Sequence, residues 1–396
     1  MQCKNIFLAG LIIIICQTLS LSQNSSTADS VPQPTFGKKV NVDFYEFIAF
    51  DTTRSVHGNP KVIETRNYYD DLKEWAWEDS SLYDTKGRLI YFNNYHDVKS
   101  FIYDDDKLLF YSRKDSDKET YVYWFFYDSF SNPVRKVIAV EDNFTHQYKL
   151  YEVEIYHTEY YKDSVVVNKK SSNEYIFDKN GFTNVFDRNG YLKSEYYVNR
   201  NGVLVYSTYK YQKFSDRYVL KEKETEASKD QIKNINKTTY LLDSLGNVIH
   251  KEERGSGIFN AFVRQNTIST TVLKDSTRQI KNEYYFNANL QHMYYNEYDK
   301  FGNILKNAEI SYESDNSFFL SINDYKYDAK NNWILKTEYM QETDRDLKPT
   351  RKKMKLVTYA RKITYYENGE RYVPEKVPEI PSMLTTEINK LEKELE

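Results

Sequence analysis

Along EYDKFGNILKNAEISY, from Glu297 to Tyr312, apolar and polar side chains alternate after a short interruption. Ile304, Ala308, Ile310 and Tyr312 fall on one side of an extended chain, and Asn307, Glu309 and Ser311 fall on the other. A period of two is the mark of a half-buried strand. The interruption, Asp299-Lys-Phe-Gly302, has turn chemistry: the carboxylate accepts from backbone N–H groups just ahead, and the glycine takes a positive φ at little steric cost. A type I turn closed by a left-handed glycine is a common hairpin connection. The segment therefore predicts a turn that launches a strand.

The unit recurs. Copies begin at Leu82 (LYDTKGRLIYFNNY), Ile102 (IYDDDKLLFYSRK), Phe126, Ile176, Tyr197, Leu241 (LLDSLGNVIHKEER) and Lys326 (KYDAKNNWILKTEYM). The anchoring acid is Asp84, Asp104, Asp128, Asp178, Asp187, Asp243, Asp299 or Asp328, with Asn199 as a variant. Asp84 with Gly87, Asp243 with Gly246, Asp299 with Gly302, and Asp328 are the structural turns expected. Spacings of roughly 20 to 29 residues suit one strand-turn-strand unit per repeat.

Tyr-Asp-x-x-Gly-Asn followed by a strand resembles the YD repeat of Rhs-type and teneurin-type proteins. The form ending in Asn331-Asn332-Trp333 is similar to degenerate YD-like repeats in secreted proteins of Bacteroidetes, and YYENG at Tyr365 to Gly369 resembles a MORN-variant repeat. The resemblance spans Leu82 to Tyr372. It implies an all-β fold, an elongated antiparallel sheet of repeated β-hairpins, here followed by a short C-terminal helix. Stacked hairpins growing along one axis fit that shape. The aromatic content of 16%, with Tyr 38 and Phe 22, favours pleated, half-buried surfaces.

The two ends follow other patterns. Lys4 precedes the apolar run Ile6 to Cys16, too short to span a bilayer comfortably. Ser20 and Ser22 stand as a small-x-small cleavage signal before Gln23, so residues 1–22 read as a signal peptide and the chain as exported. Lipid attachment at Cys16 is disfavoured by the bulky Ile15. Both cysteines, Cys3 and Cys16, lie in this segment, so the mature chain has no disulfide or thiol chemistry. Residues 23–36 form a Ser/Thr/Pro-rich leader, 37–373 the repeat domain, and 374–396 a linker with Pro374, Pro378 and Pro381 before a short helix. Leu384, Ile388, Leu391 and Leu395 mark one face of that helix. KEKETEASKDQIKNINK, from Lys221 to Lys237, lacks aromatics; it reads as a short helix or an extended loop, and the repeat domain is either one unit or two sub-domains split near 221–240.

Charge adds little. The formal net charge of −3 shows no basic excess for nucleic acid, and no second apolar stretch is long enough for a membrane helix. Asp178 to Gly181, Asp187 to Gly190 and Asn199 to Gly202 look superficially like calcium loops but lack the alternating ligands and distal Glu of an EF-hand. His146 and His157 make no metal-binding spacing, and no nucleotide or nucleophile motif is present. No cofactor is expected. Trp75 and Trp77 are candidate ligand-stacking residues, with cross-strand packing as the alternative. Two functions follow: an exported, non-catalytic structural or interaction protein binding a protein or a surface glycan, or a carbohydrate-binding module or glycoside-directed hydrolase.

Overall fold

The computed structural model describes residues 57–395, apart from 70–72, 95–96, 115–117, 130, 174–176, 200, 215–216, 230–231, 243–247, 257–264, 275–276, 287–288 and 313–317. The signal segment, the leader and the turn at Asp243 and Gly246 lie outside the described residues. The first strands are β1 (Pro60–Tyr69), β2 (Glu74–Tyr83), β3 (Leu89–Asn94), β4 (Val98–Asp104), β5 (Lys107–Lys114), β6 (Glu119–Tyr127) and β7 (Pro133–Asp142). Next come β8 (Tyr148–Tyr160), β9 (Ser164–Ser171), β10 (Phe177–Asp187), β11 (Leu192–Asn199), β12 (Leu204–Phe214), β13 (Arg217–Lys229), β14 (Ile232–Leu242) and β15 (Val248–Ser256). The last are β16 (Gln265–Lys274), β17 (Thr277–Phe286), β18 (Asn289–Tyr298), β19 (Ile304–Ser311), β20 (Phe318–Tyr327), β21 (Trp333–Thr343) and β22 (Met354–Tyr365), followed by α1 (Ser382–Leu395).

Each strand pairs antiparallel with its neighbours in sequence, as β1 does with β2 and β21 with β22. The ladder does not stop at its ends. β1 also pairs antiparallel with β22, setting Ile63 opposite Ile363 and Thr65 opposite Arg361. The 22 strands thus form a closed barrel. This corrects the elongated open sheet. Each hairpin adds twist and coil to the sheet, and enough of them bring the first strand round to the last. Closure removes both edges and their unpaired N–H and C=O groups. The alternation of side chains along a strand is the same in a flat sheet and a closed one, so the sequence pattern is silent on curvature.

The core is concentrated in the first ten strands of the barrel. On β4, β5 and β6 the aromatic and aliphatic residues serve both faces. Phe101, Tyr111 and Phe125 pack on one face with Ile63, Val165 and Val167. Ile102, Phe110 and Trp124 pack on the other with Val137 and Val153, under Leu384 and Ile388 of α1. The helix is held by more than its apolar stripe. Trp124 Nε1 donates to Pro378 O at 2.8 Å, and Arg135 meets Glu392 at 2.8 Å. A smaller cluster of Met293, Ile310 and Phe318 lies on β18 to β20.

Three local expectations are also corrected. The segment 221–237 is neither helix nor loop: β13 and β14 pair through Glu222↔Thr239 to Lys229↔Ile232. Its Lys223, Thr225 and Ala227 alternate with Glu222, Glu224 and Glu226, a period of two masked by high charge. Asp104 does not anchor the repeated turn. It pairs directly with Lys107 across a two-residue loop in which Asp105 takes φ 48°. Asp178 lies within β10, where the register jumps from Phe177↔Asn199 to Phe182↔Tyr197. Gly181 serves that irregularity: at φ +76° its backbone runs so close to β9 that a Cβ would stand 2.1 Å from Lys169 O.

Candidate functional site

The repeated turn is the most regular chemistry in the molecule. In the Asp299 turn, the Asp299 N–H donates to Asn303 O at 2.9 Å and Gly302 N–H donates back to Asp299 O at 3.2 Å. Asp299 Oδ1 accepts from Phe301 N and Asn303 N, both at 2.8 Å. The same pattern fixes the turns at Asp84, Asp187, Asn199 and Asp328. The residue three places on takes positive φ each time: 77° at Gly87, 85° at Gly302 and 68° at Asn331. One copy escapes sequence reading. Asp344 accepts from Asp346 N and Lys348 N, with Leu347 at φ 62° where a glycine is expected.

The second carboxylate oxygen explains the tyrosine. Tyr327 directly precedes Asp328, yet its hydroxyl donates to Asp299 Oδ2, in the turn of the preceding repeat. Tyr365 does the same for Asp328 Oδ2. The asparagine four residues after each acid completes the contact: Asn303 Nδ2 reaches Tyr327 Oη at 3.3 Å and Asn332 Nδ2 reaches Tyr365 Oη at 2.8 Å. Asn132, after Asp128, reaches Tyr160 Oη at 2.6 Å. Each tyrosine locks the turn next door. The Asp84 turn substitutes Arg88, whose Nε lies 2.7 Å from Asp84 Oδ2 and whose guanidinium lies 4.3 Å from the Tyr103 ring centre.

These contacts set the protonation of Asp328 and of its tyrosine. Burial alone would raise the Asp328 carboxyl, but the Tyr365 hydroxyl, the Asn332 and Lys330 amides and the Lys330 charge outweigh it and hold the group below the ordinary carboxylate range. Burial and the hydrogen bond to Asp328 push Tyr365 up to about 12. The acids of the ladder are thus occupied by N–H and O–H donors, which makes them turn locks. Among the described residues no group of three or more His, Cys, Asp and Glu comes together as a metal site.

The tryptophans stand apart. Trp75, at the start of β2, is 47% exposed and its ring lies 5.3 Å from that of Tyr68. Trp77 is half-buried opposite Arg66. Polar side chains line the barrel wall on both faces from β11 to β18. Cross-strand register puts Glu195, Ser207, Thr225 and Asn236 in one row and Tyr209, Lys223, Thr238 and Glu253 in the next, on one face. Lys223 meets Glu195 at 3.5 Å and Lys251 meets Glu253 at 2.6 Å there. On the opposite face Glu222 holds Lys210 and, at 2.8 Å, Lys237, and Arg254 holds Glu252 at 2.7 Å. In the core-rich part a charge is sequestered: Glu154, 3% exposed, takes Lys136 and Lys169 at 2.7 Å each.

Among the described residues no helix is long and apolar enough to cross a membrane, which leaves crossing by strands open. No protein-family model and no curated protein matches the chain. Among solved structures, a porin-like protein and a porin align with it at low similarity. A porin-like protein from Bacteroides uniformis aligns over 78% of this chain and 98% of its own, with a TM-score of 0.26 and 9% identity. A mutant of Rh. blastica porin aligns over 76% and 98%, with a TM-score of 0.15 and 10% identity. Closure of β1 onto β22 overturns the open YD-repeat, Rhs-like sheet and, with it, the binding or glycoside-directed roles attached to that resemblance.

Proposed function

We propose that the chain is a non-enzymatic conduit of the outer envelope, a closed β wall around water through which hydrophilic solutes pass. The observation that carries this reading is the join of β1 to β22 in a cylinder whose two faces both bear ion pairs. Twenty-two strands about 4.8 Å apart and tilted roughly 40° make a round wall about 45 Å across, several times the ~10 Å that two packed sheets need. Whichever face turns inward, the part of the wall from β11 to β18 brings ion pairs to the enclosed space. An even-numbered barrel of neighbour-paired strands is also the plan of envelope barrels.

The chemistry of the other wall bears on where the cylinder sits. Turning either face to lipid would put Lys223, Glu195 and Lys251, or Lys210, Glu222 and Arg254, against hydrocarbon. A Lys or Arg at the bilayer midplane costs about 2–4 kcal/mol. The wall from β11 to β18 therefore faces water or other envelope proteins. Small-angle scattering of the purified mature protein tests the hollow interior: the profile of a hollow cylinder is expected, and that of a filled particle would sink the conduit. Planar bilayers test the placement. The protein alone should give no conductance steps, whereas steady channel steps would show that it inserts in lipid as porins do.

A further inference from the structure

We propose that the rim where β21 returns into β22 seats the barrel on an anionic lipid surface. This goes beyond the conduit reading and does not depend on it. From Lys348 to Leu356, KPTRKKMKL, every residue is exposed. The run holds five cations, Lys348, Arg351, Lys352, Lys353 and Lys355, and no acid. It is nonetheless a built feature. The Asp344 turn precedes it, Thr350 N–H donates to Glu342 O at 2.9 Å, and Gln341 Nε2 donates to Arg351 O at 3.0 Å. These bonds fix the backbone of an exposed run.

The cations are only partly balanced. Lys348 meets Asp346 at 3.2 Å, Arg351 meets Glu342 at 3.1 Å, and Lys353 meets Asp324 at 3.3 Å. The Arg351 side chain is still 77% exposed and that of Lys348 72%. Solvent-exposed pairs of this kind are worth little, so exchange for phosphate is cheap.

Apolar groups decide which phosphate. Met354 is 54% exposed and Leu356 37%. Lys355 lies 5.9 Å from the Tyr68 ring centre, and Tyr68 pairs with both Trp75 and Thr358, which brings the exposed Trp75 to this rim. Free phosphate or a polyanion would use the lysines and leave Trp75, Met354 and Leu356 in water. A lipid interface takes both: cations at the headgroups, and Trp with aliphatic side chains at the acyl boundary.

The test is flotation of the full-length protein with vesicles of phosphatidylcholine alone and with an added anionic phosphatidylglycerol fraction. Binding is expected only to the anionic vesicles and should weaken as salt rises. Each cation removed should lower affinity about fivefold, equivalent to ~1 kcal/mol at an anionic surface. Lys352→Glu with Lys355→Glu should therefore abolish flotation while leaving circular dichroism unchanged. Trp75→Ala should lower the salt-resistant remainder. Equal binding to neutral vesicles, or no loss in the charge-reversed variant, would overturn the proposal. So would displacement by inorganic phosphate when chloride at matched ionic strength has no effect, because the rim would then be a soluble-phosphate site.

Discussion

Asp299 and Tyr327 show how little of a turn is private to it. The Asp299 carboxylate satisfies two amides of its own turn and one hydroxyl from the strand hairpin that follows. Gly302→Val strains a backbone at φ 85° and should cost about 1–3 kcal/mol in urea unfolding. Tyr327→Phe leaves the turn intact but removes a charge-assisted bond, so a smaller loss near 1.5 kcal/mol is expected. No loss would mean that tyrosine packing, not its hydroxyl, supports the turn. The Tyr365–Asp328 pair gives the same idea a pH window. Asp328 is depressed when folded, so its contribution is present above the unfolded value near 3.9 and fades as pH falls through the folded value. Tyr365 is raised, so its contribution is complete below its unfolded value near 10 and is lost as pH rises through about 12. Tyr365→Phe should move the acid-unfolding midpoint upward. An unmoved midpoint would separate the hydroxyl from the protonation of Asp328.

Helix α1 is the one element outside the barrel ladder among the described residues, and it serves as a strap. The segment from Tyr366 to Pro381 carries Pro374, Pro378 and Pro381, which suit an extended lead into the helix. Leu384 and Ile388, each 3% exposed, cover Ile102, Phe110, Val137 and Val153, an apolar face that would otherwise meet water. Fully burying one such side chain is worth about 1.5–3 kcal/mol. Ile388→Asp puts an unpaired charge in that contact, and the strap should detach while the barrel persists. Dye binding to exposed apolar surface should rise, and protease should cut within 366–381, with the strand signal in circular dichroism retained. Unchanged protease resistance would show that Arg135–Glu392 and Trp124–Pro378 hold the strap without the apolar stripe.

Closure governs behaviour that no single hairpin has. A polar, thin-walled sheet of this length escapes pairing with other copies only if its first and last strands are not left open. Deleting residues 60–73, β1 and the link to β2, leaves β2 and β22 with unpaired edges. That variant should form concentration-dependent oligomers in light scattering, with lower thermal stability. A monodisperse variant with the parent's melting behaviour would mean that the β1–β22 pairing contributes nothing. The middle of the barrel should also be its weakest part, since among the described residues β12 to β16 contribute none to the three buried clusters. Amide exchange is expected to be faster there than in β4 to β8.

The turns at Asp84, Asp187 and Asp299, the strands they launch and the helix after Pro381 were legible in the chain because each depends on residues within a few positions of one another. Asp344 was not, since Leu347 hides the left-handed position that glycine advertises. Nor was the 221–237 hairpin, whose dense charge obscures an alternation that pairing across β13 and β14 makes plain. The partner of each Tyr hydroxyl lies in another turn, 28 residues away for Tyr327 and Asp299, and no spacing rule predicts it. Curvature is further removed still. It accumulates as small rotations between neighbouring strands, and only their total over the whole ladder brings Ile63 to Ile363 and converts a row of hairpins into a closed wall.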